Sequence, residues 1–287
     1  MILLTGATGN NGGETARQLV ALGAKVRAMA VHPDKACAQV PSEIEVVPGD
    51  LDRPETFSAA LAGGVETVFL LSPADARLAG RERAFVTAAR EAGVRRIVKF
   101  SVLGAATDAP FSFGRWHGEA ERAIVESGLE YTFLRPTVFM QNMLWSAASI
   151  KGDGTFALPL ARARMGLVDT RDIAAVAARV LVADDGSHAG RAYPLTGPAS
   201  IDYDEVAAAF SDVLERTIRY LPSTPEDRRR ELLAQGMPES YVTAELDLSA
   251  ALIDGAGDQV SPAVADITGQ EARGMADFVR DHAAAFA

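Results

Sequence analysis

Three glycines at a three-residue spacing, Gly6, Gly9 and Gly12 in the segment TGATGNNGG, follow the apolar run Ile2-Leu3-Leu4 and precede a helix-forming run from Glu14 to Leu22. Strand, glycine turn and helix is the setting in which such a loop binds a pyrophosphate. Gly6 permits the tight turn, Gly9 lets the backbone approach the phosphates, and Gly12 lets the new helix pack closely on the strand. The helix N-terminus adds unpaired N–H groups and a partial positive charge. A purely structural loop is the alternative that the surrounding elements must decide. Dinucleotide sites reveal their preference about twenty residues beyond the glycines. Here that position is His32, with Lys35 after it and Arg27 before it. No acid stands there to hold a ribose 2′-hydroxyl, although Asp34 lies between the two basic candidates. Neutral or positive groups suit a 2′-phosphate, so NADP(H) is expected to bind more tightly than NAD(H). No metal site is expected, because His32, His117, His188 and His282 are scattered and Cys37 is the only cysteine.

The elements that must position this loop alternate between strand and helix. Strand patterns cover 25–31, 44–48, 65–71, 97–103 and 131–135, and helical patterns cover 81–91 and 116–126, the first closed by Gly93. Such alternation predicts parallel βαβ units, with ligands at the carboxyl ends of the strands. The expected fold is an α/β, doubly wound parallel Rossmann sheet with a smaller, mostly helical C-terminal domain. A dinucleotide-binding domain is expected over residues 1–150 and a smaller substrate-binding domain over 151–287, with 166–185 packing back onto the first. Ile173, Val176, Ala177, Val180 and Leu181 form that returning helix's apolar stripe. In the C-terminal part, a strand or hairpin is expected over 152–160. Helices are expected over 204–215, from Pro225 onward, and over 238–253. Thr268 to Glu271 has capping-box spacing and is expected to open the last helix.

The chain has 287 residues, 48% of them apolar and 23% charged, as in ordinary globular proteins. A net charge of −10 disfavours direct contact with nucleic acid or anionic membranes. No apolar run has the length of a membrane span, and the first residues are already strand, so a cytoplasmic location is expected.

Several segments in order carry a wider resemblance. They are ILLTGATGNNGG, Gly49-Asp50-Leu51-Asp52, FLLSP at 69–73, KFS at 99–101, WHGEAE at 116–121, YTFLRPTVFMQN at 131–142 and Leu195-Thr-Gly197-Pro. Together they resemble the NmrA-like family of atypical short-chain dehydrogenases, over nearly the whole chain. The resemblance implies that Gly6, Thr8, Gly9, Asn10, Asn11 and Gly12 cradle the pyrophosphate. His32 stands where many relatives place an arginine. Asp50 and Leu51 would border the adenine. Leu71, Ser72 and Pro73 would line the nicotinamide ribose, with Ser101 and Val102 beneath it. Pro136, Thr137 and Val138 would meet the nicotinamide amide, and Phe139, Met140 and Asn142 would face substrate.

Standard short-chain dehydrogenases use Tyr-x-x-x-Lys, the tyrosine as proton donor. This chain reads Phe113-Gly-Arg-Trp-His117 at that spacing. Phenylalanine donates no proton, which places Phe113 on the substrate side. His117, and with it Ser101, become the candidate catalytic groups; a histidine satisfied within a helix and a serine serving as a strand-end hydrogen bond are the plainer alternatives. A carbonyl acceptor needs a strong acid at its oxygen, whereas a conjugated acceptor spreads the incoming charge. Phe111, Phe113, Trp116, Phe139, Met140, Met143 and Trp145 would suit a flat apolar acceptor, or simply pack a core. The leading expectation is therefore an NAD(P)H-dependent reductase of a quinone-like or other conjugated small molecule. A biosynthetic imine or enone reductase has the same site with a different pocket. A non-catalytic dinucleotide-binding redox sensor acting on a regulatory protein partner is the rival from another class. A homo-oligomer is compatible with each.

Overall fold

The computed structural model describes residues 1–287. A seven-stranded sheet has the order β3-β2-β1-β4-β5-β6-β8. Its strands are β1 (Ile2–Thr5), β2 (Val26–Ala30), β3 (Glu45–Pro48), β4 (Thr67–Leu70), β5 (Arg96–Phe100), β6 (Glu130–Pro136) and β8 (Arg191–Leu195). The pairings from β3 across to β6 are parallel, with Leu4 opposite Ala28 on one side and Phe69 on the other. Strand order reverses between β1 and β4, which is where an open parallel sheet leaves a crevice at its carboxyl edge.

Buried strand residues alternate between the two faces of this sheet. Leu3, Met29, Val68, Leu70, Ile97 and Phe133 pack with Phe57 and Leu61 of α3 (Phe57–Leu61), Phe85, Val86 and Ala89 of α4 (Leu78–Glu91), and Ile124 of α5 (Ser112–Ser127). Elsewhere α1 (Asn10–Ala21) packs against α7 (Thr170–Val182). The expected stripe of α7, Ile173 to Leu181, is buried as predicted. Glycine ends α1 where the sequence places it, with Gly23 at φ +71° just past the helix.

The chain divides into two compact units. The first comprises Met1–Ala109, Phe113–Arg135 and Thr170–Pro194, and the second Pro110–Ser112, Pro136–Asp169 and Leu195–Ala287. The change of unit falls after Arg135, where the sequence places it near residue 150. The reason is packing: Met140, Met143, Ile150 and Phe156 are buried in one core with Phe210, Phe278 and Phe286. Within the second unit, β7 (Thr155–Leu158) pairs in parallel with β9 (Arg219–Pro222), and Phe156 stacks on Tyr220 with centroids 5.5 Å apart. The strand β9 is too short to announce itself in the sequence. Capping boxes at Asp202/Glu205 and Thr224/Asp227 start α8 (Tyr203–Leu214) and α9 (Pro225–Ala234). The expected helix start at Thr268 is corrected: Thr268 ends a short helix from Ala263, and Gly269 at φ +73° closes it. The Asp277 carboxylate accepts from the Gly274 N–H at 3.1 Å, and the next helix, Met275–Asp281, begins there.

Candidate functional site

The glycine loop is built by close approach. Gly6 turns the chain at φ +68°, and a Cβ on Gly12 would lie 2.1 Å from the Gly6 carbonyl oxygen. Thr5 ties the ends of β1 and β4 together, donating through Oγ1 to the Leu71 carbonyl and accepting from the Leu71 N–H, both at 2.8 Å. Gly9 is the N-cap of α1 and brings no side-chain cap, and the first turn holds no acid. The leading N–H groups of a twelve-residue helix are thus left for an anion. This cradle fits the phosphates of a dinucleotide.

Beside it lies a cleft of about 490 Å³. It gathers many of the residues expected from the sequence: Gly6, Thr8 and Gly9 at the loop, His32 and Lys35 after β2, Asp50 and Leu51 after β3, and Leu71, Ser72 and Pro73 after β4; Thr5 lines it as well. His32 and Lys35 are both exposed, and no acid stands between β2 and His32. Asn10, Asn11 and Gly12 lie in the first turn of α1. A clasp at the cleft escaped the sequence reading. The Arg81 guanidinium, with its side chain 5% exposed, bonds Asp52 at 2.5 and 3.1 Å and Asp75 at 2.9 Å. It thereby joins the loops that follow β3 and β4, and it holds the Asp52 carboxyl below its ordinary range.

A second polar group lies within the first unit's core. Lys99 of β5 and Glu82 of α4 are both 0% exposed, with Nζ and Oε2 2.6 Å apart. Burial pushes the Glu82 carboxyl up, opposed by the Lys99 ammonium and the Ser72 hydroxyl. Ser101 donates to Glu121 Oε1 at 2.6 Å, and Arg135 donates to the same oxygen at 3.0 Å. The Ser101 hydroxyl is therefore engaged by a carboxylate, which favours the strand-end role over the catalytic one. Val102 follows it, half-buried. Phe113 meets Trp116 edge to face at 5.4 Å.

His117, on the inward face of α5, is 6% exposed, and its Nδ1 has no partner. Its helix sits close because residue 118 is glycine: a Cβ there would lie 2.2 Å from the Ala106 carbonyl carbon. Burial first, then the Lys99 charge, holds His117 well below its ordinary 6.5. Below that pH the unfolded chain takes up a proton at residue 117 that the folded chain refuses. Stability consequently falls as pH drops from 6.5, by up to about 1.4 kcal/mol per unit from this group. Burial acts on His188 in the same direction. Urea unfolding between pH 7 and 5 should show a shallower acid loss for His117→Gln than for the wild type. Parallel curves would contradict this.

The remaining expected residues belong to the second unit. Thr137 donates its N–H to the Leu195 carbonyl at 3.0 Å, and Val138 and Met140 bond Val168 through their backbones. Pro136 and Thr137 are buried, while Val138, Phe139 and Asn142 are half-buried. Met140 is 1% exposed and packs in the second unit's core. No helix is long and apolar enough to cross a membrane.

Residues 6–184 match the family described as NAD(P)H-binding. The chain is 38% identical over 286 residues to an NAD(P)H azoreductase of Xenophilus azovorans, covering 100% of this chain and 99% of that protein. It is 36% identical to a (4-alkanoyl-5-oxo-2,5-dihydrofuran-3-yl)methyl phosphate reductase of Streptomyces griseus, again covering 100% and 99%. Among solved structures it is similar to an NADPH-dependent quinone oxidoreductase of Escherichia coli in complex with NADPH. That likeness has a TM-score of 0.88 at 27% identity, over 98% of this chain and 99% of the other.

Proposed function

Because the chain belongs to the NmrA-like, NAD(P)H-binding family, we propose that it is an NAD(P)H-dependent reductase that passes hydride to a quinone, an azo dye or a similar conjugated small molecule. The observation that carries the choice of acceptor is the lack of a strong acid where short-chain dehydrogenases place one. Position 113 is phenylalanine, and the nearby imidazole of His117 is buried and kept neutral. A bound nicotinamide supplies the hydride. The residues around it need only orient it, exclude water and hold the acceptor flat. An acceptor that delocalises the incoming charge is protonated by water afterwards and asks for no enzyme acid.

The dinucleotide preferred is NADPH. His32 and Lys35 line the cleft beyond β2, and neither position offers a carboxylate to a ribose 2′-hydroxyl. An exposed charge pairing with phosphate contributes on the order of 1 kcal/mol or less, so Lys35→Ala should weaken NADPH about threefold to fivefold. NADH affinity should stay unchanged. Equal losses for the two dinucleotides, or wild-type protein binding NADH as tightly as NADPH, would refute the preference. The acceptor is tested by following nicotinamide absorbance with purified protein, NADPH and a panel of quinones and azo dyes. Acceptor-dependent oxidation supports the proposal. Tight NADPH binding with no oxidation by any acceptor would transfer support to a dinucleotide-reading sensor.

A further inference from the structure

Arg81 stands in the first turn of α4, a helix rooted in the first unit's core through Phe85, Val86 and Ala89. Its guanidinium lines the cleft. An arginine beside an anion-binding cleft is ordinarily a phosphate receptor. This one has no N–H left to give. Nε and Nη2 donate to Asp52, Nη1 and Nη2 donate to Asp75, and Nη1 also reaches the Pro73 carbonyl at 3.4 Å. Those bonds use every donor that a guanidinium has. Its charge is matched as well. Arg77 lies 3.3 Å from Asp52, so two arginines meet two aspartates and the cluster presents no net charge to the cleft. Arg81 therefore acts through geometry.

The geometry is a bridge between separated strands. In the sheet, β2 and β1 lie between β3 and β4, so no ladder hydrogen bond joins the ends of the outer two. Three strand spacings put them roughly 14 Å apart. Asp52 belongs to the turn after β3, where its N–H donates to Asp50 Oδ1 at 2.9 Å. Asp75 follows β4, and its Oδ1 accepts from the Arg77 N–H at 2.8 Å. Each aspartate is thus fixed to a loop that forms part of the cleft wall, Asp50 and Leu51 on one side, Ser72 and Pro73 on the other. A planar fork can hold a carboxylate on each of two edges, whereas a lysine ammonium has no such edges.

We propose that Arg81 is a positioning residue that fixes the width of the dinucleotide cleft, its fork holding the loops after β3 and β4 at the separation the cofactor requires. The bound dinucleotide then has no loops to order, and that saving appears as affinity. This rests on the dinucleotide-binding reading of the cleft.

The test is an NADPH titration of Asp52→Asn, Asp75→Asn, the double variant and Arg81→Lys, with hydrogen exchange of each cofactor-free protein. Both aspartates are 36% exposed, and asparagine keeps an acceptor oxygen for the guanidinium, so the fold is retained. A strut fails when either end is cut. Each single variant should raise the Kd about fivefold, and the double variant about fivefold too, where independent contacts would multiply to roughly twenty-five-fold. Arg81→Lys should lose as much as the aspartate variants although it keeps the charge. Exchange should quicken over both 49–53 and 71–77 when Asp52 alone is changed. Multiplying losses, wild-type affinity in Arg81→Lys, an unchanged Kd throughout, or faster exchange confined to the substituted loop would each overturn the proposal. The exchange readout needs no cofactor, so protein whose two loops loosen together but which binds no NADPH would overturn the dinucleotide reading and leave the strut.

Discussion

Gly12→Ala should raise the Kd for NADPH at least about a hundredfold, equivalent to about 2.7 kcal/mol. The added Cβ would lie 2.1 Å from the Gly6 carbonyl oxygen, 2.7 Å from its carbon and 3.1 Å from the Ala7 Cα. All three are backbone atoms, so no side chain can rotate away and the loop itself must move. Thr5 holds the strand ends on one side, and α1 packs on α7 on the other. The displacement therefore falls on the start of α1, whose uncapped N–H groups are the ones proposed to hold the phosphates. Gly80→Ala is the matched control: it lies in α4 with nothing within 4 Å of the added carbon. It should leave NADPH binding unchanged and stabilise the helix by up to about 1 kcal/mol. A Gly12→Ala protein that binds NADPH within threefold of wild type in a fluorescence titration would contradict the cradle.

The second large effect concerns the buried ion pair. Lys99→Met should lower folding stability by about 3–5 kcal/mol, because it strands the Glu82 carboxyl in a site with no exposure and no other cation at hand. Glu82→Met strands the ammonium and should cost a similar amount. E82M/K99M should recover most of the loss, since an apolar pair suits that core as well as a salt bridge does. Chemical denaturation of the three variants measures this directly. A double variant as unstable as the sum of the single ones would show that the two side chains are not acting as a pair.

The pair also marks where the sequence stops being legible. The alternation of strands and helices, the glycine loop and the residues after β2, β3 and β4 are local patterns, and local patterns set both the sheet and the cleft at its switch point. Lys99 and Glu82 are seventeen residues apart on different elements, and each contradicts the pattern around it: a lysine in IVKFS and an acid on an apolar helix stripe. That contradiction was a signal, but only the packing of α4 over β5 shows that each answers the other. Arg81 with Asp52 and Asp75 is a similar case, three charges that come together only because the loops after β3 and β4 meet. Gly118 gave no sign at all, because its reason is the Ala106 backbone facing it. The Thr268 box failed for the opposite cause. Its spacing was right, but the left-handed turn at Gly269 ends a helix there. Met140, which the resemblance places toward substrate with Phe139 and Asn142, is buried in the second unit's core, a burial no local pattern announces.

A dinucleotide cleft without an enzyme acid is expected to deliver hydride to conjugated acceptors. Its most direct test compares two acceptor classes with the same purified protein and saturating NADPH: quinones and azo dyes on one side, and simple aliphatic aldehydes and ketones on the other. Acceptor-dependent loss of nicotinamide absorbance is expected with the conjugated compounds and none with the simple carbonyls. Faster oxidation with the simple carbonyls, or no oxidation with any compound while NADPH binds tightly, would contradict it.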